Sequence, residues 1–450
     1  ALQRRLTVAS GGPGTGKTTT MARLLVAFLK LQPQARVAFA APTGKAAARL
    51  AQSLAAQLPA LDPSGTLAQR LPASGRTVHR LLGLGRAMPG RAPRAAPLAF
   101  DLVIVDEASM IDLELAALLA ASIPPEGPLV LAGDMDQLAS VDAGAVFADV
   151  CAGGSAGIVR LERNYRQQDA PGIVALAGAL RAGDPAAVAR VLSAQPPAPE
   201  LELAPAAGAE RVAALAIGGY AAALDAVQAG AGPGAVLAAY EGYRVLTALR
   251  EGPAGARTVN EAIPARLRRR LGVPAHAEWY PGRLVMVRRN EPGLGLYNGD
   301  VGVCLPGPEG ALAVAFGNGG EPRWLPLLQM PACDDAFAIT VHKSQGSEFE
   351  TVALLPGPPG HPLNTRELVY TGVTRARRRL CVLAEPAALQ AAAANRTRRH
   401  GRLAARLAAA RDGGNSGDSS DSSGSSGSGS SGSSGSSDSS SNKPADVGGA

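Results

Sequence analysis

"LTVASGGPGTGKTTTMARLL", residues 6–25, decides the fold. "LTVAS" is strand-like, "KTTTMARLL" is helical, and Gly11–Thr18 between them fits G-x-x-x-x-G-K-[ST] in the strand-to-helix setting that the motif requires. Glycines there let backbone N–H groups wrap phosphates, and the helix N-terminus adds partial positive charge. On this reading Gly11, Gly12, Pro13, Gly14, Thr15, Gly16, Lys17, Thr18 and Thr19 hold a nucleotide. Lys17 reaches its β- and γ-phosphates, and the Thr18 hydroxyl ligates Mg²⁺. The motif is silent about what the nucleotide is used for.

Downstream, apolar runs recur with helical stretches between them: "RVAFAA" (36–41), "DLVIVDEAS" (101–109), "PLVLAGD" (128–134) and "IVRLERNYR" (158–166). Strands apolar on both faces and separated by helices argue a parallel sheet covered on both sides, an α/β class. The 101–109 strand ends in Asp106–Glu107, one carboxylate to sit near Mg²⁺ and one to activate water. Gln137 in "LAGDMDQLASV" emerges at the same strand edge, where a glutamine can sense a γ-phosphate or orient water. Read as a set, these residues point to hydrolysis rather than binding alone.

Residues 168–230 read as Ala-rich helices. A second strand–helix series begins at "YRVLTALREG" (243–252) and resumes at "AFAITVHKSQG" (336–346), "TVALLPG" and "LCVLAE". Between its parts, roughly 279–333, short runs such as "GRLVMVRRN" and "GDVGVCL" are divided by Gly, Pro and Asn, the texture of a small antiparallel β insertion. From Gly413 to Asn442 the chain is almost wholly Ser, Gly and Asp, too poor in apolar residues to offset ordering entropy, and is expected to be disordered.

A chain of 450 residues that is 46% hydrophobic can hold two or three domains. No 18-residue uncharged apolar stretch suggests a membrane span, and no secretory signal pattern opens it. The start, which lacks Met and runs directly into a strand, suggests a piece of a longer protein. Four scattered cysteines without a CxxC pair argue against structural zinc or a disulfide framework and for a reducing cytosol. The net charge of +7 favours an anionic partner.

Three further stretches place Thr, Lys and His at strand-to-helix turns suited to phosphodiester contact: "APTGKAAARL" (41–50), "TVHRLLG" (77–83) and "TVHKSQGSEFE" (340–350). Capping is an equally good explanation for each residue singly. Last, "VYTGVTRARRRL" (369–380) crowds four arginines into five positions.

The ordered set "GGPGTGKTTT", "APTGKAAARL", "TVHRLLG", "VDEASMID", "GDMDQLASVDAGAV", "NYRQ", "TVHKSQGSEFE" and "TRELVYTGVTRARRRL" resembles superfamily 1 helicases. "ALREGPAG" and "WYPGRLVMVRRNEPGLGLYNGDVGV" narrow the resemblance to the RecD family, the alpha subunits of exodeoxyribonuclease V, over roughly residues 1–402. The resemblance implies two RecA-like P-loop NTPase domains, the second carrying an SH3-like insertion. The expected division is 1–165 for the first domain, 166–278 and 334–411 for the second, 279–333 for the insertion and 412–450 for the tail. It implies an ATP-driven 5′→3′ motor using Mg²⁺, with Lys17, Asp106, Glu107, Gln137, Arg166 and Arg375 catalytic. Thr43, Lys45, Thr77, His79, His342 and Lys343 fall in motifs lining the DNA track. Arg375 would be a finger offered from the second domain; Arg377, Arg378 and Arg379 are read as a solvated basic surface.

The implied partners are single-stranded DNA, double-stranded DNA ends, and RecB-like and RecC-like subunits in a heterotrimer, in the bacterial cytoplasm. Two alternatives stay open: a stand-alone RecD-like helicase, and a nucleotide-binding regulatory subunit without motor activity. The chain begins too late for the adenine-reading glutamine of such helicases, and 83–97, in place of a strand-separating pin, has no hairpin pattern. No nuclease constellation is visible, so exonuclease activity would belong to a holoenzyme.

Overall fold

Strands with no face for water force a sheet covered on both sides, and every residue of Val37–Ala41 and of Leu102–Val105 is buried. The computed structural model describes residues 4–72, 74–84, 96–154, 157–165, 170–205, 208–317, 322–397, 399 and 401–414. The first unit runs β1 (Leu6–Gly11), α1 (Lys17–Leu31), β2 (Val37–Ala41), α2 (Gly44–Leu61), β3 (Arg76–Thr77), α3 (Val78–Leu81), β4 (Leu102–Val105), α4 (Leu113–Ser122), β5 (Leu129–Gly133), α5 (Val146–Gly153) and β6 (Gly157–Leu161). Its strands are all parallel in the order β3-β2-β4-β5-β1-β6. α1 buries Met21, Leu25, Phe28 and Leu29 and α2 buries Leu50, Leu54 and Leu58 on one face; Phe147, Val150 and Leu115 from α5 and α4 cover the other. The segment 83–97, in the place of a pin, lies largely outside the described residues, as do the tail from 415 onward and Gln3.

The second unit runs α6 (Pro171–Ala182), α7 (Pro185–Leu192), β7 (Leu201–Ala204), α8 (Ala209–Gly219), α9 (Ala221–Gln228), α10 (Pro233–Glu241), β8 (Tyr243–Thr247) and α11 (Ala256–Leu271). An inserted set follows, β9 (Leu284–Val287), β10 (Val301–Pro306), β11 (Leu312–Phe316), β12 (Arg323–Pro326) and β13 (Cys333–Asp335). The unit closes with β14 (Ala338–Thr340), β15 (Phe349–Leu355), α12 (Arg366–Val373), β16 (Ala376–Leu383) and α13 (Pro386–Ala394). Its sheet is parallel, β14-β8-β15-β16-β7. The stretch read as helices alone over 168–230 thus contains an edge strand, β7. Four residues, none of them fully buried and with Glu202 exposed, carry too weak a pattern to stand out among alanines and prolines.

The inserted strands form an antiparallel sheet, β12-β11-β10-β9-β13. Alternation along β9 explains its unbroken apolar run: Leu284 and Met286 join the core of the second unit, while Val285 and Val287 join a separate core with Cys304, Val314 and Phe316. None of the described helices is long and apolar enough to cross a membrane.

The last helix among the described residues, α14 (Leu403–Gly414), falls mostly within the 334–411 stretch expected in the second domain, yet packs on α5 of the first unit. Leu407 lies against the cluster of Phe147, Val150 and Cys151. A Cβ on Gly153 would stand 2.7 Å from the Leu407 Cβ and 3.3 Å from the Ala404 carbonyl oxygen, so close approach of the two helices needs glycine there. Gly153→Val is expected to destabilise by about 1–3 kcal/mol, the usual cost of overpacking. Leu407→Ala should not recover that loss, because alanine keeps the Cβ that is met, as read by the midpoint of urea unfolding.

Candidate active site

A parallel sheet buried on both faces leaves its C-terminal edge as the place where polar groups can emerge. Here β1 delivers the loop 11–16, β4 delivers Asp106, β5 delivers Asp134, and β2 and β3 deliver Thr43 and Thr77. Gly14 and Gly16 have φ of 78° and 83°, the left-handed region that glycine enters freely. The Lys17 ammonium is anchored over the loop by the carbonyl oxygens of Gly11 and Gly12 at 2.6 and 3.0 Å. Thr15 and Thr20 hydroxyls donate to Gly12 and Gly16 carbonyls at 2.8 and 3.0 Å, stiffening the turn.

Lys17, Thr18, Asp106, Glu107, Gln137 and Arg375 line one cleft of about 420 Å³ between the two units, with Arg49, Tyr165 and Glu348. Burial first, and then the charge of Glu107, push the Asp106 carboxyl up to about 6, with Lys17 opposing them. Asp106 accepts the Glu107 backbone N–H at 2.9 Å. Glu107 has φ of 53°, the one positive value for a non-glycine among the described residues. That backbone costs about 1–2 kcal/mol, the kind of strain that persists where surrounding structure holds it at a working site.

Arg375 is 2% exposed although charged. Its Nε donates to the Thr371 carbonyl at 3.2 Å, its Nη1 to the Ser347 carbonyl at 3.1 Å, and its Nη2 to Gln137 Oε1 at 2.6 Å. The last bond crosses from the second unit to the first. Gln137 in turn donates through Nε2 to Asp134 Oδ2 at 3.1 Å, and the Tyr370 hydroxyl donates to the same oxygen at 2.9 Å. Asp134 and Tyr370 were missed by sequence. Asp134 repeats the Asp106 signal, a carboxyl at the end of an apolar strand; Tyr370 looks like one more apolar residue of α12.

A second groove of about 500 Å³ is lined by Lys45, Arg49, Thr77, Arg80, Tyr297 and Arg377, among others. Thr43 caps α2 through the Ala46 N–H and Thr77 caps α3 through the Arg80 N–H, both at 3.2 Å. Lys45 pairs with Glu241 across the groove at 3.8 Å. His79 is exposed on α3; His342 and Lys343 lie in a short turn on the second unit, with Lys343 3.5 Å from Asp334. Burial, with a smaller contribution from Arg399, lowers the His342 pKa. Arg166 is outside the described residues.

Arg377 departs from the solvated surface expected of it. It bonds Glu348 at 3.2 Å and Glu350 at 3.3 Å, and Glu348 also receives Arg49 of the first unit at 3.0 Å. Arg378 pairs with Glu350 at 3.1 Å and stays mostly exposed, as does Arg379.

A family model of an AAA domain matches residues 1–195, and one of a UvrD-like helicase C-terminal domain matches residues 335–383. The RecBCD enzyme subunit RecD of Mycobacterium tuberculosis is 40% identical over 428 residues, which are 90% of this chain and 71% of that one. This chain belongs to the RecD family. RecD of Haemophilus influenzae is 32% identical over 86% of this chain and 67% of its own length. The ATP-dependent RecD2 DNA helicase of Deinococcus radiodurans is 34% identical over 87% of this chain and 48% of its own. As a RecD-type superfamily 1 helicase with two RecA-like α/β units, the chain is an ATP hydrolase.

The raised Asp106 pKa has a signed consequence. A carboxyl whose folded pKa exceeds its unfolded value costs stability when ionised, so the cost is absent near pH 4 and complete above about pH 6. In metal-free buffer Asp106→Asn should melt higher than wild type at pH 7.5, and the difference should close by pH 4. Equal Tm values at both pH values would contradict that electrostatic environment.

Proposed function

We propose that this chain hydrolyses ATP with Mg²⁺ to drive 5′→3′ movement along single-stranded DNA. It would work as the RecD-type subunit of a RecB-, RecC- and RecD-containing complex at double-strand ends. The observation that carries the motor reading is the Arg375–Gln137 bond, because it joins the finger of one unit to a polar residue on the nucleotide edge of the other. Lys17 would hold the β- and γ-phosphates, Glu107 would orient the attacking water, and Gln137 and Arg375 would answer the γ-phosphate, with Arg166 as a second arginine. Thr18 and Asp106 fit Mg²⁺: one hydroxyl and one half-buried carboxyl lining the same cleft are the hard oxygen ligands that ion takes. When bound, the metal neutralises charge developing on the phosphates. Tyr165, whose backbone N–H donates to the Gly14 carbonyl at 2.9 Å, offers a ring at the cleft mouth on which a base can stack.

Lys45, Thr77, His79, His342 and Lys343 would follow the DNA backbone, with Thr43 setting the α2 N-terminus beside it. The antiparallel insertion would be the SH3-like subdomain, and the domain limits those given above. The mycobacterial relative is named as a RecBCD subunit, which supports the heterotrimer over a stand-alone enzyme.

The test is steady-state ATP hydrolysis with and without single-stranded DNA, for wild type and Arg375→Ala. An arginine finger is worth about 10³-fold or more, so DNA-stimulated kcat should collapse in the variant while nucleotide binding persists. A variant that keeps its rate would sink the motor reading, and absence of DNA stimulation in wild type would favour the regulatory-subunit alternative.

A further inference from the structure

Gln137 is an amide with an acceptor at one end and two donors at the other, and rotation about its last side-chain bond exchanges them. Arg375 offers only donors, so only the oxygen end can serve it. We propose that Asp134 and Tyr370 are positioning residues that fix the Gln137 amide in that orientation and thereby set the finger; this rests on the roles given above to Gln137 and Arg375.

The geometry supplies the reason. With Gln137 Nε2 donating to Asp134 Oδ2 and Oε1 accepting from Arg375, both ends are matched. A flipped amide would set its oxygen against the carboxyl oxygen and its NH₂ against the guanidinium, losing two bonds in a site where Asp134, Gln137, Tyr370 and Arg375 are all buried. Tyr370 pins Asp134 through the same oxygen, Oδ2. Burial and the neighbouring Asp134 hold its phenol pKa well above the usual range, so it keeps the proton it donates.

Tyr370 and Arg375 also lie on one segment, α12 and its end, while Asp134 and Gln137 lie on one loop of the first unit. Two crossings therefore close a ring between the units, which forms at one interdomain spacing. The backbone next to Gln137 is clamped too: the Leu138 N–H donates to the Thr371 hydroxyl at 3.0 Å, and Gln345 Nε2 donates to the Leu138 carbonyl at 2.9 Å. The ring touches the phosphate loop as well, since a Cβ on Gly12 would be 3.0 Å from the Tyr370 hydroxyl.

The experiment measures ATP hydrolysis with single-stranded DNA by the full chain, together with Tm. The variants are Tyr370→Phe, Gln137→Ala, their double, Asp134→Asn and Asp134→Ala. Losing one net hydrogen bond in a buried site should lower the kcat of Tyr370→Phe about tenfold, with KM for ATP within about twofold. In the Gln137→Ala background the same change should cost nothing more, because no amide remains to be oriented. Asp134→Asn keeps an acceptor oxygen and should retain more activity than Asp134→Ala. Tyr370→Phe at the wild-type rate, or a loss fully additive to that of Gln137→Ala, overturns the proposal while leaving the site reading intact. Should Gln137→Ala itself keep the wild-type rate, the reading of the site fails first. Tyr370→Phe removes one oxygen only, so the test survives even if the Asp134 variants do not fold.

Discussion

A guanidinium taken out of water must find its hydrogen bonds in the protein, and the partners of Arg375 are what tie this molecule together. Two of its donors reach carbonyls of its own unit, at Thr371 and Ser347, and fix the direction of the fork. The third reaches across to Gln137. Because breaking a buried charge from its partner is expensive while the same contact in water is worth little, the two α/β units meet where that fork is satisfied. Other crossings sit around it. Arg49 reaches Glu348 and the Gly346 carbonyl, and Arg399 reaches the Ser140, Asp142 and Gly144 carbonyls of the first unit.

The same economy of burial explains the cleft. Both sheets spend their faces on apolar packing, so the acids, the amide and the phosphate loop collect at strand ends. There the desolvation that raises Asp106 also makes it receptive to a cation, and Glu107 is held in a backbone that few side chains adopt. Stability is given up at this edge and regained in the cores beneath it, around Val105, Ile104 and Val130.

Charge along the second groove is less one-sided than a net +7 suggests. Lys45 and Arg49 face the acids Glu241 and Glu348 there, and Lys343, lining a separate pocket, faces Asp334. The Lys45 and Lys343 pairs are widely exposed, with Lys45 47% and Glu241 63% open to water. Exposed pairs of this kind are worth about 0–1 kcal/mol, so a phosphate can replace the acid at small cost.

Read one stretch at a time, the chain reveals whatever is written locally. The phosphate loop, the apolar strands with acids at their ends and the second strand–helix series are legible because each is a pattern within a dozen residues, enforced by backbone geometry and burial. Arg375 could be singled out among four arginines by its motif. Arg377 could not be assigned, because its acids at 348 and 350 come to it only when β15 pairs with β16. β7 was hidden for a related reason: a four-residue edge strand is stabilised by its neighbour β16 rather than by its own composition. Asp134 and Tyr370 meet across 236 positions, and nothing in either stretch announces the other. The return of α14 to the first unit rests on a glycine at 153 that reads as an ordinary helix end. Side-chain pairing between units is a property of their distance and orientation, and those are decided when buried donors find acceptors in three dimensions.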